Sequence, residues 1–273
     1  ADVDLCKLPV PLVHEGDGGR YVGTWHAVVT KHPVRGDVNW GMYRQMMFDS
    51  RTMCGAVFPF SDLGKALSEY YLPRGETCPF ATAIGLSPLA AMAACAPSPI
   101  PEPELTGMLA GEPVKLVKCE TNDLEVPADA EIILEGEIFP DYKVEEGPFG
   151  EYTGYYSGNK GKDYPKPVLR VKRILHRNKP IFWSTTVGKP INDIHMIQSL
   201  NRTGAMWYDL ETMKVPGIQS VYLPAAATGR FWAIVSVKQM YPGHSNHVGN
   251  AVIASTTGHY GLKGVIVVDH DIE

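Results

Sequence analysis

Apolar and polar positions alternate in short runs over the first two thirds of the chain, and Gly and Pro interrupt these runs at close intervals. Short runs that are rich in β-branched and aromatic residues and bounded by turn residues predict β-strands. The predicted strands are Tyr21–Thr30, Asn39–Phe48, Val114–Lys118, Glu131–Ile138 and Val168–Leu175. One Ala- and Leu-rich run, Leu86–Ala96, predicts a helix that ends at the Pro-rich segment after it. This part of the chain is therefore expected to be mostly β.

The pattern changes near residue 191. Apolar residues recur at helical spacing over Asp193–Met213, which predicts a long helix. A buried strand at Arg230–Lys238, a helix at His244–Ser255 and a second buried strand at Gly264–Asp269 follow. A strand–helix–strand order predicts parallel pairing, because parallel strands need a crossover connection. We therefore predict a domain boundary near residue 191, between a mainly β part and the beginning of an α/β part.

Composition and charge narrow the class of protein. Of 273 residues, 44% are hydrophobic and 20% are charged, which is typical of a folded globular protein. The net charge of −5 and the absence of a basic tract argue against a nucleic-acid partner. No apolar run approaches the roughly 20 residues that span a bilayer, so we expect a soluble protein without a membrane partner. The chain begins without Met and ends just after a predicted strand, which suggests a piece of something longer.

Five cysteines, Cys6, Cys54, Cys78, Cys95 and Cys119, are scattered along the chain without a CxxC pair. An odd number without paired spacing favours reduced thiols over a disulfide framework or a zinc site. No signal peptide is visible. Together these features predict a cytoplasmic protein.

The densest group of chemically useful side chains is an acidic turn. Glu145, Glu146 and Glu151 flank a Gly-Pro-Phe-Gly sequence and precede a pair of tyrosines. Carboxylates crowded in a partly apolar place have pKa values that move apart, which leaves one able to hold a proton near neutrality. This turn is thus a candidate for general acid chemistry. The alternative is a solvated acidic loop.

A second candidate lies on the predicted strand that contains Asn39 and Arg44. This strand is otherwise apolar and aromatic. A buried Arg must be paired, and the acidic turn is the expected partner. The amide oxygen of Asn39 suits a hard cation. Residues 39 and 44 would face opposite sides of a straight strand, so a bend is needed if they share a site. A structural ion pair in the core is the alternative.

Two weaker candidates remain. Glu102 and Glu104 follow a Pro-rich segment, although most glutamates in such positions are solvated. His244 and His247 stand at the start of a predicted helix, where two His could bind a metal or the helix start could hold a phosphate. The sequence contains no Walker loop, no GxGxxG fingerprint and no GxSxG elbow.

Several of these segments, taken together, resemble the UbiD family of reversible decarboxylases, which use prenylated FMN. The motifs that carry the resemblance are Asn39–Arg44, Leu116–Thr121, Leu124–Ala128, Glu131–Gly136 and Glu146–Glu151. The resemblance runs from about Thr24 to the end of the chain. It implies an α+β fold, in which residues 1–190 form a split β-barrel flavin-binding domain. Residues 191–273 would then be a linker helix and the start of an α/β oligomerisation domain.

The resemblance also implies catalytic roles for Arg44, Glu146 and Glu151. Glu151 would be the acid/base that protonates the carbon after CO₂ leaves. Arg44 would hold the substrate carboxylate and pair with Glu146. A guanidinium fork suits a carboxylate, and a carboxylic acid needs apolar shielding to stay protonated at neutral pH. These roles therefore agree with the interpretation of Arg44 and the acidic turn from their residue types alone.

Cofactor and metal positions follow from the same resemblance. Prenylated FMN would be contacted by Thr24, Asn39, Met42 and Arg44. A divalent metal, Mn²⁺ or Mg²⁺, with K⁺ as a further candidate, would be held by Asn39, Asp62 and Glu102. The family usually has His at the position of Asp62; Asp is a competent oxygen ligand, but it adds negative charge. The family's phosphate-binding Lys would lie beyond Glu273.

The resemblance implies an enzyme that reversibly decarboxylates a small aromatic or α,β-unsaturated carboxylic acid. A flavin prenyltransferase would supply the cofactor, and the protein would be a homo-oligomer. Two alternatives stay open: an inactive or cofactor-free relative, and a carboxylase subunit that acts on a phenolic substrate.

Overall fold

The computed structural model describes residues 3–158 and 165–272. The chain divides into two compact units, each with a hydrophobic core of its own. The first unit comprises residues 1–94 and 100–186, and the second comprises residues 95–99 and 187–273.

The first unit is built on an eight-stranded antiparallel sheet. The strands of this unit are β1 (Tyr21–Gly23), β2 (His26–Lys31), β3 (Val38–Gly41), β4 (Gln45–Met47), β5 (Thr52–Gly55), β6 (Cys78–Ile84), β7 (Leu116–Lys118), β8 (Glu125–Pro127), β9 (Ile132–Val144), β10 (Phe149–Gly150), β11 (Tyr156–Ser157) and β12 (Lys166–His176). The order in the large sheet is β1-β4-β5-β12-β9-β6-β2-β3, and β7-β8 and β10-β11 form separate antiparallel pairs. This curled sheet and the helices around it confirm the predicted α+β fold.

Two of the predicted strands are broken in the structure. Tyr21–Thr30 divides into β1 and β2, and Asn39–Phe48 divides into β3 and β4. The halves of each pair have different neighbours: β3 pairs with β2, whereas β4 pairs with β1 and β5. The chain therefore changes its place in the sheet at residues 42–44, and this break is the bend that a shared site of Asn39 and Arg44 requires.

Short helices cover the first unit. They are α1 (Asp62–Ala66), a π-helical turn (Leu67–Tyr71), α2 (Leu72–Arg74), α3 (Pro88–Ala93) and α4 (Glu102–Ala110). Ser61 caps α1, since its Oγ accepts a hydrogen bond from Gly64 N at 3.1 Å, and Ser87 caps α3 in the same way. The helix in the structure is shorter than the predicted Leu86–Ala96, because Ser87 caps it and Pro88 is its first residue.

The second unit contains α5 (Asp193–Thr212), β13 (Ile218–Tyr222), β14 (Trp232–Val237), α6 (His244–Ala254) and β15 (Gly264–Asp269). Strands β14 and β15 are parallel and are joined by α6, as the sequence pattern predicts. Strand β13 pairs with β14 in the antiparallel direction. Apolar residues of α5, α6 and the sheet form the core of this unit, with Met206, Val235 and Val248 fully buried. None of the described helices is long and apolar enough to cross a membrane.

Candidate active site

Arg44 lies at the end of the break between β3 and β4, so its side chain is set by an irregular segment rather than by a strand. Two hydrogen bonds to its backbone carbonyl oxygens fix this segment. Ala56 N donates to the carbonyl oxygen of Arg44 at 2.9 Å. His26, which is fully buried, is hydrogen-bonded through Nε2 to the carbonyl oxygen of Tyr43 at 2.9 Å. The backbone that carries the guanidinium is therefore held by hydrogen bonds at Tyr43 and at Arg44.

The guanidinium of Arg44 contacts both predicted partners in the acidic turn. Its Nε donates to Glu146 Oε1 at 2.6 Å and its Nη2 donates to Glu146 Oε2 at 2.9 Å. Its Nη1 donates to Glu151 Oε1. The structure thus brings Arg44, Glu146 and Glu151 together, with a two-point contact to one carboxylate and a single contact to the other.

The three side chains are shielded unequally. The Glu146 side chain is 1% exposed, whereas those of Arg44 and Glu151 are 11% and 17% exposed. Burial opposes the charged form of Arg44, but the hydrogen bond and the negative charge of Glu146 outweigh it, so the pKa of Arg44 is raised. The group contains two carboxylates and one guanidinium, so two acidic side chains share a single cation.

Aromatic rings cover the apolar side of this group. The guanidinium carbon of Arg44 lies 4.8 Å from the ring centroid of Phe149, a cation–π contact. The ring of Tyr21 packs on Phe149 with centroids 4.3 Å apart. Burial and the nearby Glu146 raise the pKa of Tyr21, so its phenol stays protonated. Phe149 is itself buried and thus shields this side of the ion pairs from water.

Glu151 is carried by the hairpin that β10 and β11 form. Glu151 N donates to Tyr155 O at 2.9 Å, which closes the hairpin. Ser157 Oγ donates to Glu151 Oε1 at 3.2 Å, and Tyr152 N donates to Glu151 Oε2 at 3.3 Å. Glu145, the third carboxylate of the turn, is exposed. The solvated-loop alternative therefore holds for Glu145 and fails for Glu146 and Glu151.

The predicted metal ligands lie around Trp40 and Tyr43. Glu102, the first residue of α4, accepts a hydrogen bond from Trp40 N at 3.0 Å. Burial raises the pKa of Glu102, the bond from Trp40 opposes this shift, and the negative charge of Asp62 adds to it. Asp62 begins α1 and is exposed. Tyr43 is partly buried and faces Asn39; burial raises the pKa of its phenol, and the negative charge of Asp62 adds to this shift.

The donor chemistry of this group fits a hard cation. Asn39, Asp62 and Glu102 offer amide and carboxylate oxygens, which Mg²⁺ and Mn²⁺ prefer. Asn39 Nδ2 is buried and has no hydrogen-bond partner among the described residues, so a further acceptor such as a phosphate oxygen would satisfy it. Among the described residues, no three His, Cys, Asp or Glu side chains form a metal-binding group. Any site here therefore depends on the Asn39 amide.

Two further predicted cofactor contacts, Thr24 and Met42, lie at the two strand breaks. Thr24 is buried between β1 and β2, where its Oγ1 accepts a hydrogen bond from Thr185 N at 3.1 Å. Met42 is partly buried between β3 and β4. Trp25, next to Thr24, stacks on Trp183 with ring centroids 5.7 Å apart. A buried Nε1 of Trp25 has no partner in the part of the chain that the structure describes.

Apart from Glu102, the weaker sequence candidates acquire no chemical role. Glu104 is exposed on α4. Both ring nitrogens of His244 are occupied, since Nε2 contacts Pro216 O at 3.0 Å and Nδ1 accepts from Met240 N at 3.2 Å. His247 Nδ1 contacts Tyr241 Oη at 2.7 Å. This His pair therefore stabilises the start of α6 and is not arranged as a metal site.

Comparison with known proteins identifies the family. Residues 1–190 match the UbiD 3-octaprenyl-4-hydroxybenzoate carboxy-lyase Rift-related domain, and residues 195–273 match the corresponding C-terminal domain. The chain belongs to the UbiD family. The predicted resemblance is thus confirmed. An uncharacterized protein of Archaeoglobus fulgidus is 37% identical to this UbiD chain over 276 residues, which cover 98% of the chain and 54% of the relative.

Solved UbiD-class structures have the same fold. HmfF from Pelotomaculum thermopropionicum, solved in complex with prenylated FMN as an evolved dimeric form, matches with a TM-score of 0.90 and 30% identity. The closed form of vanillic acid decarboxylase from Sedimentibacter hydroxybenzoicus matches with a TM-score of 0.90 and 31% identity. Each match covers 100% of this chain, but only 61% and 57% of those chains. The UbiD chain described here thus spans somewhat more than half the length of its relatives.

Several residues at the site were not singled out by the sequence analysis. These residues are Tyr21, Ser157 and Asp17, which accepts a hydrogen bond from Gly150 N. They are common residue types in turns and short strands, and nothing in their spacing marks them. Tyr21 contacts the turn only after the chain returns more than a hundred residues later. The Asp17-Gly18-Gly19 sequence was a visible turn signal, but a turn signal alone does not indicate what the turn contacts.

Proposed function

We propose that this chain carries the decarboxylating site of a UbiD-type enzyme that removes CO₂ from an aromatic or α,β-unsaturated carboxylic acid, with prenylated FMN as cofactor. The observation that carries the proposal is the shielded guanidinium of Arg44 between the carboxylates of Glu146 and Glu151. An ion pair that is solvated, or that only stabilises the fold, would not need a second carboxylate that remains partly exposed to solvent.

Arg44 would hold the substrate. A guanidinium has five N–H donors, and the contacts to Glu146 and Glu151 occupy three of them. Two N–H groups remain for the carboxylate of the substrate. Because Glu146 fixes the plane of the guanidinium through two bonds, these remaining donors point in set directions, and substrate binding costs little reorganisation.

Glu151 would move the proton. In the forward reaction the bond between the substrate carbon and its carboxylate breaks, CO₂ leaves, and that carbon takes a proton from Glu151. The ionised Glu151 then regains a proton from solvent through its open side, since its side chain is 17% exposed. The reverse reaction uses the same steps, with Glu151 as the base.

The cofactor and metal assignments are part of the same proposal. Bound prenylated FMN would supply an electron sink for the breaking bond. Thr24, Asn39, Met42 and Arg44 would contact it, and Asn39, Asp62 and Glu102 would hold a divalent cation. The complex of the related HmfF with prenylated FMN supports this choice of cofactor.

The partners follow from this cofactor. A flavin prenyltransferase would supply the prenylated FMN. We also propose that the full-length protein is a homo-oligomer and works in the cytoplasm.

The test is to purify the full-length protein after co-expression with a flavin prenyltransferase. We expect visible absorbance, a bound species with the mass of prenylated FMN, and CO₂ release from at least one member of a panel of aromatic and α,β-unsaturated acids. A protein that stays colourless, or that binds the cofactor and releases no CO₂ from any acid in the panel, would contradict the proposal. Turnover of phenols with bicarbonate and without the prenylated cofactor would favour a carboxylase subunit.

A further inference from the structure

Residues 14–18, which we call the clasp loop, contact the turn that carries Glu151 although they precede it by more than a hundred residues. The clasp loop has no helix or strand of its own and lies before β1. Three of its residues form hydrogen bonds with the turn. No motif in the sequence assigns it a function.

Asp17 is the central residue of the clasp loop. Its Oδ2 accepts a hydrogen bond from His14 N at 3.0 Å, which closes the loop on itself. Its Oδ1 accepts a hydrogen bond from Gly150 N at 2.8 Å. Gly150 directly precedes Glu151, so one carboxylate ties the loop to the backbone amide beside the proposed acid. Hydrogen bonds to a charged acceptor are about twice as strong as neutral ones.

Further contacts hold the loop against the turn. Gly18 N donates to Pro148 O at 2.6 Å, and Gly16 N donates to Tyr156 Oη at 3.2 Å. A Cβ on Gly18 would lie 1.9 Å from the carbonyl oxygen of Gly147, so this approach is available only to glycine. The loop thus touches both strands of the hairpin that carries Glu151.

His14 sets the distance between loop and hairpin. Its Nε2 contacts Thr186 O at 2.9 Å, and its ring lies directly over Gly150. A Cβ on Gly150 would be 2.2 Å from His14 Cδ2. The φ angle of Gly150 is not in the left-handed region, so an alanine there meets the His14 ring without backbone strain of its own.

We propose that Asp17 is a positioning residue for Glu151, an inference that rests on the proposed function. The β10–β11 pair has only two residues in each strand, and so short a hairpin is not stable alone. Arg44 and Ser157 hold the end of the Glu151 side chain. The Asp17 bond to Gly150 N holds the backbone from which that side chain starts. Loss of this bond lets the acid move away from the position in which it protonates the substrate carbon.

The first test compares Asp17→Ala, Asp17→Asn and Asp49→Ala in the full-length protein loaded with prenylated FMN. Asp49 is a matched control, because its Oδ1 also accepts two backbone hydrogen bonds, from Arg51 N and Thr52 N at 2.8 Å, in a turn outside the site. We expect Asp17→Ala to lower kcat by about 10- to 100-fold with KM and cofactor content little changed. Asp17→Asn keeps one acceptor oxygen and should recover part of the loss, whereas Asp49→Ala should keep wild-type kcat.

Amide hydrogen exchange at Gly150 gives a readout that does not depend on turnover. We expect exchange at this amide to be at least about 10-fold faster in Asp17→Ala and unchanged in Asp49→Ala. Unchanged exchange would overturn the proposal even if the wild-type protein decarboxylates no acid, so failure of the proposed function is seen separately. Faster exchange with wild-type kcat would also overturn it, because Asp17 would then be structural only.

The second test uses the contact between His14 and Gly150. Gly150→Ala should lower kcat, because the new methyl group meets the His14 ring and pushes the loop and the hairpin apart. The double variant His14→Ala/Gly150→Ala removes the clash and should return kcat to that of His14→Ala alone. If the double variant is as slow as Gly150→Ala, the loop does not set the position of Glu151, and the proposal fails.

Discussion

Arg44 and Glu146 form a two-point ion pair, with Nε 2.6 Å from Oε1 and Nη2 2.9 Å from Oε2, and the Glu146 side chain is almost fully buried. Glu151 shares the same guanidinium through one contact and keeps access to solvent. This difference separates the roles of the two carboxylates. In the proposed mechanism, Glu146 orients the guanidinium and Glu151 supplies the proton.

The first prediction concerns the geometry of the pair. Lysine keeps the charge of Arg44 but presents a single ammonium group, which cannot form the two-point contact. We expect Arg44→Lys to lower kcat/KM for CO₂ release by at least about 100-fold at equal cofactor content. Arg35→Lys is the control, because the Arg35–Asp37 pair has side chains 63% and 60% exposed and such pairs contribute little. Arg44→Lys with more than a third of wild-type activity would show that the two-point contact is not needed.

A second prediction concerns pH and stability through His26. Burial lowers the pKa of His26 from 6.5 to about 4, and the bond to Tyr43 O only partly opposes this shift. Between these two pKa values the unfolded chain binds a proton that the folded protein does not, so the free energy of unfolding falls as pH decreases through this window. Urea unfolding at pH 7 and at about pH 4.5 should differ by on the order of 2–3 kcal/mol from this group alone.

The matched variant for His26 is His26→Gln, whose amide can still donate to Tyr43 O but does not titrate. We expect the pH-dependent loss of stability to be smaller in this variant by the same 2–3 kcal/mol or so. Equal losses in the wild type and in His26→Gln would show that His26 is not the titrating group.

The third prediction tests the proposed cation ligands. If Asp62 is a ligand, Asp62→Ala should lower the metal content of the purified protein and its retention of cofactor, because one of two negative ligands is lost. Glu104→Ala is the control, since Glu104 is an exposed carboxylate on α4, the helix that begins with Glu102. Elemental analysis and absorbance measure the two quantities. Unchanged values in Asp62→Ala would remove this residue from the ligand set.

The fourth prediction concerns a buried carboxylate outside the site. Glu135 is fully buried and accepts hydrogen bonds from Glu120 N at 3.0 Å, Thr121 N at 2.7 Å and Thr121 Oγ1 at 2.6 Å. Glu135→Gln places an amide donor against these donors and should lower the free energy of unfolding by roughly 2–4 kcal/mol.

Glu120→Gln is the neighbouring control for that measurement. This variant loses only the ion pair between Glu120 and Arg173, whose side chains are 51% and 45% exposed. It should change the free energy of unfolding by less than about 1 kcal/mol. A similar loss in both variants would mean that the bonds to Glu135 do not stabilise this part of the fold.

The part of the site that could be predicted from sequence is the part that local chemistry decides. An arginine on an apolar strand needs a partner, and the only dense acidic turn was the expected one. Strand geometry also indicated that Asn39 and Arg44 could share a site only if the strand bends. The structure contains the ion pairs of Arg44 and a break at residues 42–44. The ion pairs were predictable because the cost of burying an unpaired charge does not depend on the details of the fold.

What could not be predicted depends on contacts between distant segments. Strand β6 lies inside the sheet, but its sequence contains Pro79 and two alanines, which have low strand propensity. Strand β9 continues past Pro140 to Val144, where its pairing with β12 becomes irregular between Pro167 and Val168. Such pairings are set by neighbours across the sheet, and a local pattern does not contain them.

The clasp loop is the clearest case. Asp17 and Gly150 are separated by 133 positions, and their contact is a hydrogen bond from a backbone amide. Any residue has such an amide, so the sequence carries no sign of the partner. Only the folded backbone identifies it.

The most direct measurement of the central claim is CO₂ release by Glu151→Gln compared with the wild type, both as full-length protein with equal amounts of bound prenylated FMN. Glutamine keeps the shape of the side chain but has no acidic proton to give to the substrate carbon. We predict that kcat falls by at least about 100-fold while the absorbance spectrum and cofactor content stay as in the wild type. Turnover within a few-fold of the wild type would contradict the account, because another group would then supply the proton.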